Sequence, residues 1–361
     1  MTSRAVLLTG LMAGLMTGAA PAETKGAIPT SCKRYAPQIA DYRRFLRKFM
    51  EEQKIPGVTV GFVKDDCFWV EGFGLADLEN QVAATSQSAY RYASVQKSMT
   101  ATAVLQLAEQ GKLHLDAPIQ TYVPYFPAKP YPITARQLLG HIGGIAHYPN
   151  PDATKNLTRH VTTRDAIALF AEAELVAEPG TKFSYSTFGY NLLGAAIEGA
   201  SGQSYANYMR DHVWRPAGMS ATAMDDPAAI IAHRVRGYDD ADGRLRNAQF
   251  VDVSNRFAGG GTIGTVPDLL RFMMALNDGK LLKPSSLAIM YTPTRTRDGS
   301  VAGQAHTQGY TMGWNLQVAA LTGLCTMMVA SRERVLSSST IRRSTFCSQW
   351  PRTFRRARLR R

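Results

Sequence analysis

Residues 90–107 read YRYASVQKSMTATAVLQL. Ser94 and Lys97 stand three apart where loop-like sequence gives way to an apolar repeat. Val95, Met99, Ala103, Leu105, Leu107 and Ala108 carry near-helical spacing, and Gly111 closes it. A serine is a weak nucleophile at neutral pH. It needs a base, an oriented proton path and stabilisation of the oxyanion it generates. A helix start offers free N–H groups and a positive dipole end, and a lysine one turn on shares the serine's face. Buried beside apolar groups, such a lysine sheds its proton more readily and serves as base or proton shuttle. The competing reading is a surface Ser and Lys on a first helical turn. Spacing alone does not choose, because 21 Ser and 12 Lys give about one chance Ser-x-x-Lys.

The rest of the chain bounds the choice. Its 361 residues are 45% hydrophobic and 19% charged, ordinary for a globular protein with one large or two interleaved domains. Arg4, an apolar run from Ala5 to about Met16 and Ala20-Pro21-Ala22 read as a bacterial-type signal peptide over residues 1–22, cleaved near Glu23, with an N-terminal membrane anchor as the competing reading. The expected location is therefore periplasmic or secreted, with no transmembrane segment after signal removal. In that setting Cys32 and Cys67 are either bridged or two free thiols. The four cysteines lack metal-ligand spacing and the seven histidines are scattered, so no metal is expected.

Residues 57–74 alternate around a Lys-Asp-Asp turn and predict a β-hairpin. Helices are predicted around 134–141 and over 163–175, 190–202 and 266–279, and a strand over 308–318. Strand signals near both ends with helices between them predict an α+β sandwich. Its antiparallel sheet is built from both chain ends, with flanking helices and a mostly helical insertion at about 110–250.

Further along, FSYSTFGYNLLG (183–194) sets Tyr185 and Thr187 before a helix. There a tyrosine hydroxyl near a lysine can work as acid or base, or the aromatics can simply pack. ASVQKSMTATAVLQLAEQGKLHLDAPIQTYVP resembles the Ser-x-x-Lys helix of the serine β-lactamase and penicillin-binding superfamily, in its class C β-lactamase-like branch. ITARQLLGHIGGI (133–145) resembles that branch's Leu-Leu-x-His-x-x-Gly loop, with Gly143 where Ser is usual. Residues 183–209, FAGGGTIGTVPDLLRFMMAL (257–276) and GYTMGW (309–314) are similar to its later segments, in order. Thr187 stands where the superfamily usually has Asn, a variant similar to the LACTB-type serine hydrolases. The resemblance implies a DD-peptidase/β-lactamase-like fold without cofactors, with Ser94 as acyl-accepting nucleophile and Lys97 as its proton partner. It also implies Tyr185 as general base and Thr187 as a substrate or lysine contact. Losing the Asn amide argues against efficient β-lactam hydrolysis.

The superfamily's third motif, Lys- or His-x-Gly on an edge strand, should come shortly after Trp314. HTQG at His306 comes too early. Beyond Val318 the chain has neither strand-turn-helix order nor a familiar motif, and residues 331–361 hold ten Arg and one Glu. The hydrolase domain is therefore expected over 23–318 and an atypical Arg-rich tail over 319–361. The tail reads either as a reading-frame shift or as a basic segment for anionic lipid or nucleic acid. Shifting the codons of Cys325-Thr326-Met327-Met328-Val329 by one base forces Asp followed by Gly, with Tyr or His two places before the Asp, and permitted codon choices downstream spell a stretch that resembles the family's Gly-Gly…Pro-Gly turn. The body lacks a basic–aromatic recognition pattern, so no nucleic-acid partner is expected. The expected function is an exported serine hydrolase cleaving an amide or ester in a peptide, ester or β-lactam through an acyl-enzyme on Ser94. The alternative is a catalytically weak or inactive penicillin-binding-like sensor or scaffold, or a truncated product lacking the third motif. Its partner is expected to be a small-molecule or peptide substrate, and no pattern selects an oligomeric state.

Overall fold

In a computed structural model of the chain, residues 27–148, 155–241, 243–305, 307–316 and 325–330 are described. The leader expected at 1–22, His306 and the Arg-rich stretch 331–361 lie outside them, as do residues 317–324 after the last recognisable motif.

Helix α1 (Ala36–Glu52) precedes a hairpin of β1 (Gly57–Lys64) and β2 (Cys67–Asp77), followed by short strands β3 (Val82–Ala83) and β4 (Tyr90–Arg91). Next come helices α2 (Gln96–Glu109), α3 (Ala135–Leu139), α4 (Thr163–Ala171), α5 (Thr187–Ser201), α6 (Tyr205–Met209) and α7 (Arg215–Ala217). Strands β5 (Ala223–Met224), β6 (Tyr238–Ala241), β7 (Arg244–Asn247) and β8 (Thr262–Gly264) lead to α8 (Val266–Asn277) and α9 (Pro284–Tyr291). Three further strands complete the order: β9 (Gly309–Tyr310), β10 (Asn315–Leu316) and β11 (Cys325–Ala330).

The main sheet runs β11-β1-β2-β3, with every pair antiparallel. It joins an early hairpin to a late strand, as the expected architecture has it, but the late strand is β11 and not the stretch 308–318 whose pattern suggested it. The hairpin turns at Asp65, which takes a left-handed φ of 53°, a conformation Asp tolerates better than most residues. β11 comes from sequence without strand pattern and beyond the boundary expected at 318. Its backbone pairs with β1 from Val58↔Ala330 to Val63↔Cys325, which gives that edge of β1 its ladder partners.

β1 is buried on both faces. Val58, Val60 and Phe62 join Cys67, Trp69 and Phe73 in a small core closed by Ile39, Leu46 and Met50 of α1. Cys32 and Cys67 are bridged there, which decides between the two readings of these cysteines. Arg43 adds a largely buried fork onto Glu71 at 2.6–3.1 Å, tying α1 to β2. On the opposite face a Cβ at Gly61 would meet Leu270 at 3.0 Å, so α8 lies directly on the sheet.

A second, larger core surrounds α2 and α5. Residues 96–105 and Leu107 of α2 are buried, and a helix buried all round needs no clean apolar stripe. That accounts for its irregular pattern in the sequence. α5 begins at Thr187, ahead of the predicted 190, because Ser186 caps it by accepting the Gly189 N–H at 2.8 Å. It stops at Gly202, whose φ is +71°. The helix predicted over 163–175 ends at Ala171. The strand predicted over 308–318 is instead the hairpin β9–β10, folded back at Gly313 with φ +88°. A third small sheet, β4-β8-β5, brings the segment before Ser94 alongside the segment after Gly261.

Candidate active site

Ser94 lies in a one-turn 3₁₀ helix, Ala93–Val95, that runs straight into α2. Ala93 has φ +45°, a left-handed conformation that disfavours a residue with a Cβ. Its backbone is pressed by the glycine run 259–261, since a Cβ on Gly260 would stand 3.2 Å from the Ala93 carbonyl carbon. The serine therefore sits where β4 is forced to turn sharply into a helix.

Lys97 comes one turn later and is buried, with 1% of its surface exposed. Its Nζ contacts three oxygens: Ser94 Oγ at 3.1 Å, Thr187 Oγ1 at 3.2 Å and the Gly259 carbonyl at 2.6 Å. Burial lowers its pKa to about 7, and the positive charge of Arg256 adds to the effect. The rings of Tyr185 and Tyr190, with centroids 5.0 and 5.6 Å from Nζ, give the charged form some return. Desolvation outweighs them. A neutral amine has two N–H donors and a lone pair. With the donors on the Gly259 carbonyl and Thr187 Oγ1, the lone pair is left facing the Ser94 hydroxyl.

Tyr185 closes the other side and hydrogen-bonds Ser94. Burial pushes its phenol up to about 12, so it is protonated at neutral pH. Thr187, the first residue of α5, is also buried. Asn191, one turn on, holds the loop before the glycines, its amide donating to the Asn255 carbonyl at 2.7 Å and accepting from the Ala258 N–H at 3.3 Å. The loop must come this close: a Cβ on Gly259 would stand 2.6 Å from Thr187 Cγ2 and 2.7 Å from its carbonyl oxygen.

All four residues singled out from the sequence, Ser94, Lys97, Tyr185 and Thr187, meet at one point. The sequence reading missed the Gly259 carbonyl, Arg256 and His147. The run Ala258-Gly259-Gly260-Gly261 hints at close backbone approach, and His147 lies six residues beyond His141 on one loop. Among the described residues no His/Cys/Asp/Glu group is arranged to hold a metal ion. The strand expected to give the second oxyanion N–H lies outside the described residues.

A sheet joined from both chain ends, with a helix-borne Ser-x-x-Lys facing a tyrosine turn, defines the class of penicillin-binding proteins and serine β-lactamases. The family model described as β-lactamase matches residues 42–341, and the chain belongs to this family. It is 30% identical over 382 aligned positions to the human mitochondrial serine β-lactamase-like protein LACTB, covering 82% of this chain and 69% of that one. Among solved structures, the octameric penicillin-binding protein homologue from Pyrococcus abyssi superposes with a TM-score of 0.68 at 27% identity, covering 80% of this chain and 67% of that one. A D-amino acid amidase from Ochrobactrum anthropi shares the fold, with a TM-score of 0.67 at 22% identity over 78% of this chain and 88% of that one. The family is one of serine hydrolases. No helix among the described residues is long and apolar enough to cross a membrane.

Proposed function

We propose that the protein is an exported serine hydrolase that cleaves an amide or ester through an acyl-enzyme on Ser94. The observation that carries this reading is the Lys97 amine, buried and in contact with the Ser94 oxygen and two other acceptors. The neutral amine takes the serine proton as Oγ attacks the substrate carbonyl, and the Ser94 N–H at the helix start receives part of the oxyanion charge. Resemblance alone would give Tyr185 the role of base. Because burial keeps its phenol protonated, Lys97 is the base here and Tyr185 relays the proton to the leaving group. Deacylation repeats the path with water as the nucleophile. Thr187 fixes the lysine and offers a hydroxyl where an amide would recognise a β-lactam side chain, which favours peptides and simple esters over antibiotics. The Cys32–Cys67 bridge supports export to an oxidising compartment.

A fluorophosphonate or fluorescent penicillin is expected to label the folded protein, and Ser94→Ala is expected to abolish labelling. Labelling that survives Ser94→Ala removes the nucleophile assignment. A folded protein that resists both probes is a binding module instead.

A further inference from the structure

The turn that carries Tyr185 has no helix or strand to hold it: Ser184 to Ser186 precede α5 without regular pairing. Its backbone amides nonetheless find partners. The Ser186 N–H points at Nδ1 of His141 at 3.1 Å, and the Thr187 N–H points at Nδ1 of His147 at 3.0 Å. Consecutive amides are thus captured by two imidazoles from one loop. The same rings flank Tyr185, with centroids 4.3 Å away for His141 and 5.3 Å for His147, the latter edge-on at 83°.

A backbone N–H can only donate, so both Nδ1 atoms must carry a lone pair, and each neutral ring holds its proton on Nε2. For His141 the direction continues. Its Nε2–H faces the Tyr310 hydroxyl at 3.2 Å, Tyr310 bonds Tyr190, and Tyr190 donates to the Leu139 carbonyl at 2.8 Å. The chain begins at an obligate donor and ends at an obligate acceptor, which permits one polarity only. The left-handed backbone of His141, φ +58°, is what a side chain held from both ends of its ring tolerates.

We propose that His147 and His141 are positioning residues for the hydrolytic site, each holding one amide of the Tyr185–Thr187 turn so that the Tyr185 hydroxyl meets Ser94 and Thr187 Oγ1 meets Lys97. This rests on the reading of Tyr185 as the proton relay. The surroundings keep both rings neutral. His147 faces Lys97 from α2, Arg256 from the loop before β8, Tyr148 beside it and Tyr185. His141 faces Lys97, His147 and three tyrosines, and the charges that act on the two rings among the described residues, those of Lys97 and Arg256, are cationic. Burial drives His147 down to about 4 and His141 well below its ordinary value. A protonated ring would present N–H against N–H and release the turn.

Asparagine places an amide oxygen close to where a histidine places Nδ1 and does not titrate, so it separates the acceptor from the ring. Fluorophosphonate labelling of His147→Ala is expected to slow about tenfold or more, the equivalent of one lost buried hydrogen bond, with cooperative unfolding retained. His147→Asn is expected to recover labelling to within about threefold of the parent, because it restores that bond. Equal labelling by His147→Ala and the parent overturns the proposal, and so does an Asn variant as slow as the Ala variant. A second readout needs no activity: long-range ¹H–¹⁵N correlation at pH 7 should show His147 with unprotonated Nδ1 and protonated Nε2. The Thr187 amide resonance should move in His147→Ala far more than in His147→Asn. An Nδ1–H tautomer overturns the inference whether or not the parent is labelled. A parent with the expected tautomer that no probe labels would sink the hydrolase reading and keep the turn clamp.

Discussion

The two halves of the site are held by different means. On one side Ser94 and Lys97 belong to a single helical run, and their separation of three residues brings them together wherever that run forms. On the other side Tyr185 and Thr187 sit at a turn whose amides are taken by histidines some forty residues earlier in the chain. The first half is set by local spacing; the second is assembled by tertiary contacts. Their meeting point is the Lys97 amine, which touches Ser94, Thr187 and the Gly259 carbonyl together. A helix gives reactive groups their spacing at no extra structural expense, whereas a group that must approach from across a cleft needs its own supports.

The largest effect should come from the helical half. Lys97→Met keeps the side chain's length and apolar stem but removes the amine, and acylation should fall at least about a thousandfold. It should also raise thermal stability, since an ionisable group no longer has to be buried. A variant that loses activity and stability together would mean that the lysine is chiefly structural. Across the cleft Tyr185→Phe keeps the ring between the two imidazoles and deletes only the hydroxyl. A loss of roughly a hundredfold or more is expected, the ordinary share of a proton-transfer group. Should Tyr185→Phe match the parent, the relay is water and the second half only shapes the cleft.

Acidity tests both halves at once. Lys97 titrates near 7 against an ordinary 10.5, so the active neutral amine gains population as pH rises and kcat/KM should climb through about pH 7. The same group makes stability rise between 7 and 10.5, where the unfolded chain binds a proton that the folded one refuses. His147, at about 4 against 6.5, acts with the same sign in a lower window: stability falls as pH drops from 6.5 towards 4. Urea midpoints measured from pH 4 to 10 should therefore rise with pH in both windows. The lower slope should shrink in His147→Asn, and the upper one should vanish in Lys97→Met. A midpoint that rises towards acid would contradict the burial of both groups.

The same division separates the parts that were legible in the sequence from those that were not. The hairpin 57–74, the Ser94–Lys97 helix start and the α8 helix declare themselves through local period and turn chemistry. Element order gave a sheet built from both chain ends but assigned its late strand to 308–318 instead of β11. Tyr185 and Thr187 stood out before a helix start, where packing was the competing reading, and family likeness supplied their roles. The Gly259 carbonyl has no side-chain signature, and a histidine's role depends on what its Nδ1 faces, which is a property of the folded chain. The β9–β10 fold-back was missed because Gly313 interrupts what otherwise reads as one apolar strand. β11 escaped because its pairing is imposed by the open edge of β1, and its own residues carry no alternation.

The smallest effect on the site should come from the Cys32–Cys67 bridge, and this sharpens the contrast between a locally built site and its distant supports. The bridge pins the segment before α1 to β2 and closes a loop with a sequence separation of 35. On the chain-entropy account its removal destabilises by about 3–4 kcal/mol. None of Ser94, Lys97, Tyr185 or Thr187 belongs to that small core, whereas α2 and α5 are anchored in the larger one. Cys32→Ala with Cys67→Ala, assayed well below its lowered midpoint, should label within about twofold of the parent, as expected for sites without shared partners. A drop of tenfold or more at a temperature where the variant remains folded would mean that the hairpin transmits its geometry to the cleft, and the two cores would have to be treated as one cooperative unit.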